Sequence, residues 1–134
     1  MAAPVRGTLG AMRDAPLTRQ QVGKAGEDLA AGFLESLGFT LLQRNWRSRY
    51  GELDIIAADG NELVIVEVKT RTGLITGNPA EAVTPIKYAR MRQLAGQWLL
   101  EQERRWAIVR FDVVAVHLPD RHRDPEIQHY RGIF

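Results

Sequence analysis

The stretch "GELDIIAADGNELVIVEVKTR", residues 51–71, leaves the chain little conformational freedom. Two runs rich in β-branched residues flank Asp59-Gly60-Asn61, where Gly and Asn tolerate positive φ, so the segment predicts a tight β-hairpin. The second run is apolar from Leu63 to Val66, then places Glu67 and Lys69 on either side of Val68. Side chains alternate along a strand, so Glu67 and Lys69 share a face with Leu63 and Ile65. A carboxylate and an ammonium on a covered face need strong compensation. Either they neutralise each other in a cross-strand ion pair, or they are there for chemistry.

The turn decides what lies opposite them. A loop of Asp59-Gly60 pairs Ala58 with Asn61, setting Asp54 opposite Ile65 and Glu52 opposite Glu67. A loop of Gly60-Asn61 places Asp54 directly opposite Glu67. Both put Asp54, Glu67 and Lys69 on one face, with Glu52 and Ile56, whereas a three-residue loop moves Asp54 to the other. The two-residue turn is the stronger signal, so the acids are expected to converge. Carboxylates opposite or diagonal across a hairpin lie within ~5–8 Å and repel each other. Mg²⁺ is typically held by one or two carboxylates, with waters and substrate phosphates completing the shell. Asp54 and Glu67 are therefore the expected ligands of Mg²⁺ (or Mn²⁺), as one or two ions. Lys69 can orient the attacking water or stabilise charge building on phosphorus. These are the parts of metal-assisted phosphodiester hydrolysis.

Around the hairpin the pattern alternates between helix and strand. Val22, Ala25, Leu29, Phe33 and Leu37 recur at three- and four-residue steps, predicting a helix with Thr18 as N-cap and Gly38 as its stop. At ~100° per residue Glu27 falls on the border of its apolar face, where it reaches over the sheet edge. Gly23, Gly26, Ala30 and Ala31 let this helix approach the strands or a nucleic-acid backbone closely. "FTLLQRNWR" predicts a strand running into a basic loop, Arg44 to Arg49. "TGLITGNPAEAV" reads as a mobile loop. A second helix starts at Thr84 with Pro85 at N1 and buries Met91, Leu94, Ala95 and Trp98. "WAIVRFDVVAVHL" predicts a buried strand, parallel to its neighbour because a helix separates the two. The expected class is α/β, an αβββαβ order in which a mixed sheet combines an antiparallel β-hairpin with a parallel crossover strand, flanked by helices. Residues 1–17 read as a flexible N-terminal arm and 18–134 as a single domain, with 118–134 a polar tail that adds a short edge strand.

Composition narrows the partners. No cysteine means no disulfide, no zinc–thiolate site and no thiol nucleophile, and favours a reducing, cytoplasmic setting. No apolar run approaches the ~20 residues of a membrane span, so no membrane partner is expected. Net charge is +2 with a pI of about 9.3, a mild bias toward anions. Arg44, Arg47, Arg49 and Arg71 lie near the strand ends that flank the acids, where arginine suits bidentate phosphate contact. Lys87, Arg90 and Arg92 open the second helix; cations there oppose the helix dipole, which implies a partner anion. Trp46 is a candidate for base stacking, and Trp98 and Trp106 read as core or interface. His117, His122 and His129 match no ligand spacing and are expected in the polar tail. Asp112 is expected to pair structurally with Arg110.

At these residues the sequence resembles a known signature. "GELDIIAAD…LVIVEVKTR" resembles the PD-(D/E)XK nuclease pattern, with Asp54 as its Asp, Glu67-Val68-Lys69 as its (D/E)XK, and Leu53 in place of the proline. More narrowly, "GKAGEDLAAGFLESLGF", "NWR", "GELDIIA", "EVKTR", "AVTPIK" and "RFDVVAV" look like the bacterial YraN family, nuclease-like and related in fold to archaeal Holliday-junction resolvases. The resemblance spans roughly Val22 to Val116. It implies a restriction-endonuclease-like αβββαβ core, a site of Glu27, Asp54, Glu67 and Lys69, and Mg²⁺ as the ion. The expected function is a metal-dependent endonuclease acting on DNA, structured or branched DNA included, with RNA also compatible. The alternative is a non-catalytic nucleic-acid-binding module with a nuclease-like fold that works with a partner enzyme. A third reading is a homodimer formed through the apolar second-helix face around Trp98.

Overall fold

The computed structural model describes residues 17–73, 83–119 and 123–133. Nearly all of the expected N-terminal arm, most of the expected mobile loop and His122 lie outside the described residues. The order is α1 (Arg19–Ser36), β1 (Thr40–Ser48), β2 (Gly51–Asp59), β3 (Glu62–Thr72), α2 (Pro85–Leu100), β4 (Ile108–Leu118) and β5 (Glu126–Tyr130). The strands form one sheet in sequence order, β1-β2-β3-β4-β5. Only β3 and β4, joined through α2, run parallel; the other pairs are antiparallel. The mixed α/β sheet is the expected one, and β5 is the edge strand expected of the tail.

Both helices begin and end where local chemistry demands. The Thr18 side chain accepts the Gln21 N–H, and the Gln21 side chain accepts the Thr18 N–H, which closes a capping box. Gly38, at φ +94°, ends α1: its N–H reaches the Glu35 carbonyl and the Phe39 N–H reaches that of Leu34. Thr84 caps α2 and Pro85 occupies its first turn.

Each sheet face has its own core. Ala25, Leu29, Ala30 and Leu34 of α1 pack on Ile55, Ala57, Val64, Val66, Val114 and Val116. Met91, Leu94, Ala95 and Trp98 of α2, the four residues expected from the sequence, pack on Ile56, Leu63, Ile65 and Val113. Fully burying an aliphatic side chain of this kind contributes about 1.5–3 kcal/mol. The apolar stripe of α1 is rotated from the expected one: Leu34 is fully buried and Leu37 is 43% exposed, because the chain turns away at Gly38. Gly26 lies so close to β3 that an added Cβ would stand 1.9 Å from Thr70 Oγ1. That contact is the close approach expected of the small residues; an added Cβ at Gly23 would meet nothing within 4 Å.

Four other expectations are corrected. Arg44 to Ser48 belongs to β1 rather than to a basic loop. Trp46 is 8% exposed inside the α2-side core, so it offers no face to a base. Its neighbour Trp98 is equally enclosed and donates its indole N–H to Gln43 Oε1 at 3.0 Å, so this helix face is not the surface a second copy would meet. His117 and His129 lie in β4 and β5, not in a solvated tail. His129 bonds Asp112 at 2.7 Å, and Asp112 is gripped by Arg110 at 2.9 and 3.0 Å, the expected pair enlarged to a network.

A candidate acidic site at the fork of the sheet

The hairpin turn is Gly60-Asn61: Asp59 pairs with Glu62, and Gly60 has φ +61°. Pairing runs on to Ile55 opposite Val66 and stops. Beyond that point β2 stays with β1, as Leu53 opposite Trp46 shows, while β3 stays with β4 from Glu67 to Thr72. The sheet forks. Asp54 and Glu67 are the first residues past the last pair, so two acids stand at the crotch of the fork.

Strict alternation fails there. Ile55 and Ala57 pack toward α1, but Leu53 and Ile56 both pack toward α2, so the expected common face for Glu52, Asp54 and Ile56 is broken at Asp54. The cause lies in β1, where Asn45 takes φ 53° and falls between the pairs Arg44–Ile55 and Trp46–Leu53. The strand rolls at this position. Asp54 then crosses the fork with its side chain, and Oδ2 accepts the Val68 N–H at 2.9 Å. A carboxylate thus takes the donor that a continued β2 would have satisfied.

Glu27 reaches the same cleft from α1. Its Oε1 accepts from Arg44 Nε at 3.0 Å and from Asn45 Nδ2 at 2.9 Å. Arg44 also grips Asp28 Oδ1 at 2.6 Å, and Lys24 meets the other Asp28 oxygen at 3.3 Å. Burial alone would raise the Asp28 carboxyl, but its bonds to Arg44 and Lys24 outweigh this and hold it below the usual carboxylate range. Arg44, expected to meet phosphate, is occupied in orienting Glu27.

The cleft between α1 and β3 encloses about 750 Å³ and is lined by Glu27, Asp54, Glu67 and Lys69 together with Arg19, Val22, Gly23 and Thr70. All four expected site residues therefore border one space. The bare Gly23 leaves its α1 wall open. Burial and the negative charge of Glu67, with a further contribution from Glu27, push the Asp54 carboxyl up to about 7, against the opposing Val68 N–H.

Glu67 and Lys69 do not neutralise each other. The counter-ion of Glu67 is Lys87, whose Nζ contacts Glu67 Oε2 from the first turn of α2. The anion implied by a cation at that helix start is thus in the protein itself. Lys69 borders the cleft with no ion-pair partner among the described residues. The remaining basic candidates stand apart from the acids: Arg47 pairs with Glu52 at 3.4 Å, Arg49 stacks on Tyr50, Arg71 is half-buried opposite His117, and Arg90 is exposed near Gly51. Sequence reasoning missed Asn45 and the Glu67–Lys87 pair. Asn followed by Trp inside a strand pattern was the available signal for the first, since Asn tolerates positive φ.

Comparison with known proteins places the chain. Residues 26–116 match the model of "Uncharacterised protein family UPF0102". A UPF0102 protein of Mycolicibacterium vanbaalenii is 53% identical over 116 residues, covering 87% of this chain and 95% of that protein. One of Rhodococcus opacus is 55% identical over 116 residues, covering 84% and 95%. One of Mycobacterium tuberculosis is 52% identical over 121 residues, covering 87% and 94%. The matched span contains Glu27, Asp54, Glu67, Lys69 and Lys87, and the chain belongs to the UPF0102 family, the YraN family its motifs resemble.

Proposed function

We propose that the cleft is the centre of a metal-dependent endonuclease that hydrolyses DNA phosphodiester bonds, those of structured or branched DNA included. The reading includes kinship with the PD-(D/E)XK nucleases and a restriction-endonuclease-like core. One observation carries it: Asp54 is held in the mouth of the fork facing Glu67 and Glu27, and no cation among the described residues pairs with it. A carboxyl so placed is undercompensated, and a cleft of such groups beside a lysine with no ion-pair partner among the described residues is a functional arrangement before it is a structural one.

The donor set suits a hard divalent cation, since Asp54 and Glu67 supply two carboxylates across the fork and the cleft has room for waters and a phosphate. Among the described residues no three acidic or histidine side chains form a ready-made metal cluster, so two protein carboxylates would hold Mg²⁺ or Mn²⁺. When bound, the ion supplies Lewis-acid stabilisation of charge on the phosphoryl oxygens. The protein supplies the rest. Asp54 is oriented by the Val68 N–H, Glu27 is fixed by Arg44 and Asn45 as the acidic wall on the α1 side, and Lys69 orients the water or meets the developing charge. Arg47, Arg49 and Arg90 are all exposed, Arg47 beside Glu52 and Arg49 on Tyr50, and are the groups that would meet the backbone of a long substrate.

The test is cleavage of duplex, flap and four-way-junction DNA with Mg²⁺ or Mn²⁺. Lys69→Ala and Asp54→Asn are expected to lose at least ~100-fold in rate, the usual size of one acid–base contribution. Equal rates in wild type and Lys69→Ala would refute the assignment. The second reading, a nucleic-acid-binding module without chemistry, draws support from Lys87 occupying Glu67. It predicts salt-sensitive DNA binding that ignores both metal and Asp54→Ala.

A further inference from the structure

Glu67 is served by a distant cation although a lysine stands two residues away on its own strand. Building on the metal reading above, we propose that Lys87 is a latch on the candidate centre: its Nζ holds the place at Glu67 that a divalent cation takes, so cation binding requires Lys87 to swing out. Lys87 is then a positioning residue, acting through Glu67.

Three observations support the latch. The Lys87 side chain is 43% exposed and its Nζ meets no second acid among the described residues, so one contact on a flexible four-carbon stem holds it. It lies in the first turn of α2, where the helix dipole opposes a cation and where no acid of the helix offsets it. Its hold therefore rests on Glu67. Finally, one positive charge on Glu67 leaves Asp54 still facing Glu67 and Glu27, whereas a divalent ion between Asp54 and Glu67 neutralises both sides of the fork. The incumbent is the weaker partner. Once displaced, Lys87 stands beside the cleft with its charge available to a phosphate, as does Lys69, which has no ion-pair partner among the described residues.

The experiment is calorimetric titration of Mn²⁺ and Mg²⁺ into the full chain without nucleic acid, comparing wild type with Lys87→Met, Lys87→Gln, Lys87→Arg and Asp54→Asn. Lys87→Met and Lys87→Gln are expected to bind metal about tenfold more tightly than wild type, the factor for a latch closed roughly nine-tenths of the time. Lys87→Arg, which keeps the charge, is expected to bind no more tightly than wild type, and Asp54→Asn to lose binding. Unchanged or weaker binding in the neutral variants, with Asp54→Asn still abolishing it, overturns the latch and leaves the metal centre standing. Tighter binding in Lys87→Arg also overturns it. No binding in any protein, the neutral variants included, overturns latch and centre together.

Discussion

Asp54 and Asp112 are both strand aspartates drawn into the sheet, and burial acts on each in the same direction, raising the carboxyl. Their fates differ. Asp112 is fully buried, yet His129, both arms of Arg110 and the Gly132 N–H at 2.9 Å outweigh that burial and hold it below the usual carboxylate range. Arg110 in turn reaches Asp59 at 3.1 Å, so the network joins β2, β4 and β5. Asp54 has a single N–H and two acidic neighbours, and it rises to about 7. One aspartate is compensated on every side and fastens the sheet. The other is left short of positive charge at a fork that opens on a cleft. The contrast separates a structural acid from a candidate functional one more sharply than burial does.

The largest expected effect breaks the compensated side. Asp112→Ala strands a buried guanidinium, an imidazole and a backbone N–H, and is expected to cost about 3–5 kcal/mol in urea unfolding. A loss under about 1 kcal/mol would mean that the network is not what fastens β5 to β4. Next comes Gly26→Ala, expected to destabilise by about 1–3 kcal/mol because the new methyl meets Thr70. It also pushes Glu27 away from the fork, so the Asp54 titration, followed by NMR, is expected to move down.

The smallest effect has the opposite sign. The folded-state value of Asp54, about 7, lies above the ordinary 3.8. The unfolded chain therefore gives up this proton first, and wild type loses stability as pH rises from about 4 through 7. Asp54→Asn removes part of that loss and is expected to stabilise by ~1–2 kcal/mol at pH 8, with little change at pH 4. Saturating Mg²⁺ is expected to shrink the gain. Melting curves at the two pH values, with and without the ion, sharpen the comparison. Destabilisation at pH 8 would show that Asp54 is compensated after all.

Much of this architecture was readable before any coordinates, wherever information is local. Thr18, Gly38, Thr84 and Pro85 mark helix ends because capping involves residues within a turn of one another. Met91, Leu94, Ala95 and Trp98 declared the inner face of α2 because helical period alone places them together. The hairpin and its two-residue turn followed from strand period, which nominated Asp54, Glu67 and Lys69; that they border one space rests on the fork, where alternation fails.

Long-range geometry decided the remainder. That the sheet forks at Asp54 and that Trp46 turns inward depend on β2 staying with β1 while β3 stays with β4. No window of neighbouring residues encodes which strand each keeps as its partner. Ion pairing was equally beyond reach: Glu67 chooses Lys87 over Lys69, and Asp112 chooses His129, across separations the chain closes only on folding. Charges act through space, so a linear order can nominate the acids but only the folded arrangement assigns each its counter-ion.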